Sequence, residues 1–117
     1  MKRAALFLAA SVFSVPALAQ DAPVSHRQEL YDVCANSGDA SASAGYCGCS
    51  ADILAALPEA QQLLLLEISR LHVAGNLTEQ SLKDLQLSMG LDDASFQALF
   101  LEATNAGSQA DSACIGQ

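Results

Sequence analysis

The chain has 117 residues, 51% of them apolar, with thirteen acidic and five basic side chains and a formal charge of −8. An acidic surface with few aromatics repels phosphate backbones and offers no platform for stacking bases, which excludes nucleic-acid binding as a role. It also disfavours anionic membrane surfaces, and it steers a cationic protein towards the chain as a partner.

The N-terminus has the three-part layout of a secretory signal peptide. Lys2 and Arg3 start it, an apolar run follows from Ala4 to Val15, and Pro16 precedes Ala17-Leu18-Ala19, with cleavage expected after Ala19. The apolar run is shorter than the ~20 residues a spanning helix needs. Residues 1–19 are therefore expected to be removed, leaving Gln20–Gln117 as one domain of 98 residues. Lys2 and Arg3 leave with the signal while all thirteen acids stay, so the formal charge becomes −10. The expected location is the periplasm or the medium outside the cell. A chain of this size builds only a modest core, and cross-links help it.

The remaining sequence reads as helix nearly throughout. Ala, Leu, Gln and Glu are many, and aromatic and β-branched residues are few. After a short disordered lead-in over 20–24, Ser25-His26-Arg27-Gln28 fits a capping box. A first helix is predicted from His26 to Asn36, burying Leu30, Val33 and Cys34. "NSGD" breaks it, with Gly38 suited to a left-handed cap. The flexible "ASASAG" leads to a second helix from Tyr46 to Leu57.

Pro58 suits a first turn and starts a third helix that ends before Gly75. Its four consecutive leucines, Leu63 to Leu66, cover a full turn, so this helix is expected to be central and to touch neighbours on several sides. Thr78 is a good cap for a fourth helix, with a stripe of Leu82, Leu85 and Met89 and an end at Gly90. Asp92 or Asp93 caps a fifth, with Phe96, Leu99, Phe100 and Ala103 facing inward. Residues 106–117 read as a polar tail held only by Cys114. The fold class is thus all-α, a small bundle of four to five short helices.

Four cysteines in an exported chain of this size read as two structural disulfides among Cys34, Cys47, Cys49 and Cys114. Half of them lie in the segment Tyr46-Cys47-Gly48-Cys49. Residues two apart on a helix point about 200° apart. Cys47 and Cys49 are therefore expected to diverge, one towards Cys34 and one towards Cys114, with both assignments open. The alternative is a strained Cys47–Cys49 bond in a loop, which would suit a thiol-redox protein. Against it, no basic residue lies nearby in sequence to lower a thiol pKa, and no strand pattern of the thioredoxin kind surrounds the pair.

Other chemistry has little support. The only histidines, His26 and His72, lie at no recognised metal-ligand spacing, and copper(I) on Cys47 and Cys49 is the one metal site that could be written. His72 is expected to interact with the last carbonyls of its helix, and His26 to face solvent in a first turn. There is no phosphate-binding glycine loop, no nucleophile elbow and no context for a hydrolytic triad. The expectation is a non-enzymatic protein with no metal and no cofactor.

The stretch Cys34, "ANSGDASASAG", Tyr46-Cys47-Gly48-Cys49 resembles a loose group of small exported bacterial proteins with a Cys…(Tyr/Phe)-Cys-x-Cys pattern and an all-helical remainder. The resemblance covers about 25 residues. It implies an exported helical protein and carries no catalytic residue. A weaker similarity is to helical periplasmic immunity proteins that neutralise secreted toxins. Together these readings imply an interaction or structural module, with a redox protein and an immunity-type inhibitor of a basic partner as the alternatives.

Overall fold

The computed structural model describes residues 24–117, so the signal peptide and most of the lead-in lie outside the described residues. The chain forms α1 (Arg27–Ala35), α2 (Ala44–Leu54), α3 (Glu59–Val73), α4 (Glu79–Ser88) and α5 (Asp93–Cys114), with no strand among the described residues. The expected all-α bundle with two disulfides is what is found.

The caps explain most of the boundaries. Ser43 accepts from the Tyr46 amide and starts α2 two residues before Tyr46. Thr78 and Ser81 close a reciprocal capping box on α4. Asp92 accepts from the Ser95 amide and starts α5. After α3, Gly75 turns left-handed at φ 75° and the Asn76 amide reaches back to the Leu71 carbonyl at 2.8 Å. That is the six-to-one bond of a Schellman ending.

The capping box expected at Ser25–Gln28 does not form. His26 occupies the cap position, and its amide donates to the buried Gln62 Oε1 at 2.8 Å. Gln28 turns instead to Asp32 on its own helix. A tertiary partner has taken over the role that the local sequence offered to Gln28.

Helix α3 is the hub. Leu64 and Leu66 are both fully buried, and their spacing of two aims them to opposite sides of the helix. Leu66 packs with Leu30 of α1 and Ala51 of α2. Leu64 packs with Phe96 and Ala103 of α5, and Leu85 of α4 and Met89 at its C-cap close over that cluster. Four leucines in a row therefore feed two separate core clusters, while Leu63 stays 40% exposed.

The expected polar tail is corrected by the structure. Helix α5 continues through residues 106–114, and Ala103, Ala110 and Cys114 form a fully buried small-residue line along it. Gly107, Ser108, Asp111 and Ser112 have weak helix propensity, but α5 packs on α2, and the Cys114 disulfide ties it there. Helix α2, by contrast, ends earlier than expected, stopping at Leu54 before a turn into Pro58.

Candidate functional site

The first two turns of α2 carry both disulfides of the chain. Cys47 bonds Cys34 of α1, and Cys49 bonds Cys114 at the end of α5. This settles the two open assignments, and it uses all four cysteines of the chain. The direct cause is the helix: the two sulfurs leave α2 in opposed directions and meet two different neighbours. Cys47 and Cys114 are fully buried, while Cys34 and Cys49 are half-buried.

Three further contacts fix the same segment. The Ser43 hydroxyl donates to the backbone carbonyl of Gln117 at 2.9 Å. A Cβ at Gly45 would sit 3.1 Å from the Gln117 carbonyl carbon, so glycine lets Gln117 lie against α2. The Tyr46 hydroxyl donates to the Asp111 carboxylate, and this bond, helped by partial burial, pushes the Tyr46 pKa up to about 12. The sequence shows no base near these cysteines, but the fold brings one. Arg27 crosses from α1 to pair with Asp52, and its guanidinium lies beside Gly48.

A second junction, missed by sequence reasoning, centres on Gln62. Its side chain is fully buried. Its amide nitrogen lies 2.8–3.1 Å from the carbonyls of Val24, Ala55 and Leu57, which share its two N–H donors, and its oxygen accepts from the His26 amide. One amide therefore joins the N-terminal lead-in, the end of α2 and the start of α3. The signal lay in its spacing of four from Leu66, which puts it on a core-facing side of α3.

Beside it, His26 does not face open solvent as expected. Its side chain is 17% exposed, with Nδ1 2.7 Å from Glu29 and Nε2 2.9 Å from Glu59. The Glu59 hydrogen bond first, and the Glu29 one second, raise its pKa above the ordinary 6.5. His72 also departs from expectation. The carbonyls at the end of α3 are taken by backbone amides of the Gly75 turn, and His72 lines a groove instead.

That groove, of about 440 Å³, runs between α1, α2, α3 and α5. Leu30, Val33, Leu54, Leu65 and Ile68 make its floor, and Asp39, Ser69 and His72 stand among its polar lining. A second hollow of about 370 Å³, lined by Glu29, Asp32 and Arg70 among others, shares Val33 and Val73 with it. The two hollows adjoin at Val33 and Val73 on the α1–α3 seam, and together they are called the trough.

No helix among the described residues is long and apolar enough to cross a membrane, and no group of three or more His, Cys, Asp or Glu among them could hold a metal ion. Two disulfides in so small a domain point to an oxidising setting outside the cytoplasm. Comparisons with protein families, with curated proteins and with solved structures found no match for the chain.

Proposed function

We propose that this is an exported module, periplasmic or secreted, that acts by binding another protein through its surface, with no catalytic step of its own. The observation that carries the reading is the use of the cysteines. Both sulfurs of the Tyr46–Cys49 segment are spent on cross-links to different helices, one through Cys34 and one through Cys114. A working redox pair would need those two sulfurs to bond each other in one of its states. The chain instead braces a small helical scaffold whose chemistry is its shape and its negative charge.

The charge favours a second, narrower reading, that of an immunity-type inhibitor of a basic partner. A formal charge of −10 on the exported domain draws in a cationic protein and repels copies of itself. The test is affinity purification of the exported protein from its native envelope fraction at low and high salt. Recovery of one basic protein, lost as salt rises, is the expected result. Rapid turnover of glutathione disulfide by the purified protein, abolished by Cys49→Ser, would replace the binding reading with the redox one.

A further inference from the structure

We infer that the trough over the α1–α3 seam is the docking site, and that its occupant is a basic amphipathic segment of a partner protein. This rests on the binding reading above and gives it a place and a chemistry.

The floor is apolar and reaches the surface. Val73 and Leu77, at the end of α3 and in the loop after it, are 47% and 39% exposed and belong to the lining of the same groove. The volume lies within the ~300–1,000 Å³ common for sites that take a ligand group. Apolar side chains of a partner would seat on Val33, Leu54, Ile68, Val73 and Leu77.

The rim is acidic and partly unneutralised. Glu29 and Asp32 border the smaller hollow, and Asp39 borders the larger. Arg70 at this rim is engaged with Glu67 at 3.0 Å and with Glu29 at 3.8 Å. Among the described residues, Asp32 and Asp39 form no ion pair. Asp39 is held ionised by the Ser41 amide and hydroxyl, which lower its pKa.

An apolar trough edged by unpaired carboxylates matches a segment with leucine-like residues on one face and Lys or Arg on the other. A second copy of this chain is a poor occupant, because it brings the same net negative charge.

The probe is a synthetic helical peptide with leucine at every third or fourth position and lysine elsewhere, titrated into the intact exported protein by calorimetry. A control peptide has the leucines changed to serine. Two double variants separate the two contributions, Asp32→Asn with Asp39→Asn, and Val73→Ser with Leu77→Ser. All four sites are exposed, so circular dichroism should show an unchanged fold. Each double variant is expected to weaken binding about ten-fold or more, and the control peptide to bind no better than the Val73/Leu77 variant. Changing Asp84→Asn and Asp93→Asn, away from the trough, is expected to leave binding within about two-fold.

Equal binding of all variants, or of both peptides, would mean diffuse charge attraction and overturn the site. No binding of the leucine peptide would overturn it too. If a basic partner is still captured from the envelope in either case, the binding reading survives and another face carries it. If no partner is captured while the peptide binds as expected, the trough is real and the envelope partner is what fails.

Discussion

The two disulfides should differ in worth, and the fold says by how much. Cys34–Cys47 closes a span of 13 residues and Cys49–Cys114 a span of 65. The two spans do not overlap, since only Gly48 lies between them. Opening one therefore leaves the other loop unchanged in length. In the chain-entropy account the short loop contributes about 2.9 kcal/mol and the long one about 4.3 kcal/mol at 25 °C. Each pair joins one fully buried and one half-buried sulfur, so cavity effects of alanine substitution largely cancel in the comparison. The Cys49→Ala/Cys114→Ala protein should unfold more easily than Cys34→Ala/Cys47→Ala by about 1.4 kcal/mol. Urea unfolding followed by circular dichroism should show this as a midpoint gap of roughly 0.5–1.5 M. Equal midpoints, or a larger loss from the short loop, would refute the loop-closure reasoning. A tail that simply frays would show as lost amide protection confined to residues 106–114.

Three other predictions follow from single side chains. Gln62→Leu keeps the shape of the buried residue but leaves the His26 amide and three carbonyls without their partner. Unfolding free energy should fall by about 2–4 kcal/mol, read from urea curves, and a loss below about 1 kcal/mol would deny the junction its role. His26 has its pKa raised above 6.5 by Glu59 and Glu29, so its contribution is complete below its unfolded pKa and fades as pH climbs through the folded one. The stability advantage over His26→Gln should be largest between about pH 5 and 6.5 and shrink at higher pH, and an advantage that grows with pH would contradict the assignment. In ultraviolet titration, a tyrosine ionisation at about 12 should be present in the protein and missing from Tyr46→Phe.

Much of the fold was legible because local chemistry and tertiary packing agree. Thr78 and Asp92 cap helices as their side chains dictate, and Phe96 and Ala103 bury on the face their spacing assigns. The divergence of Cys47 and Cys49 followed from helix geometry alone, whereas the choice of partner needed the packing of α1 and α5 around α2. What failed did so where a distant group overrides a local preference. Gln62 takes the His26 amide that a local box would have left to another partner. Residues 106–114 lack strong helix formers, yet the Ala110 and Cys114 contacts keep them helical. The trough was invisible to periodicity, because Val33, Leu54 and Ile68 look like ordinary core positions until the helices are placed.

The central claim is that the Tyr46–Cys49 segment is a structural anchor, and a disulfide map of the exported protein tests it most directly. Free thiols are blocked first. Cleavage before Asp32, Asp39, Asp52 and Asp111 then puts Cys34, the Cys47/Cys49 pair and Cys114 on three fragments, with fragmentation between Cys47 and Cys49 to assign each bond. The account predicts three fragments held together by Cys34–Cys47 and Cys49–Cys114, with no blocked thiol. A middle fragment released with its own Cys47–Cys49 bond, or carrying blocked thiols, would contradict it and put redox chemistry first.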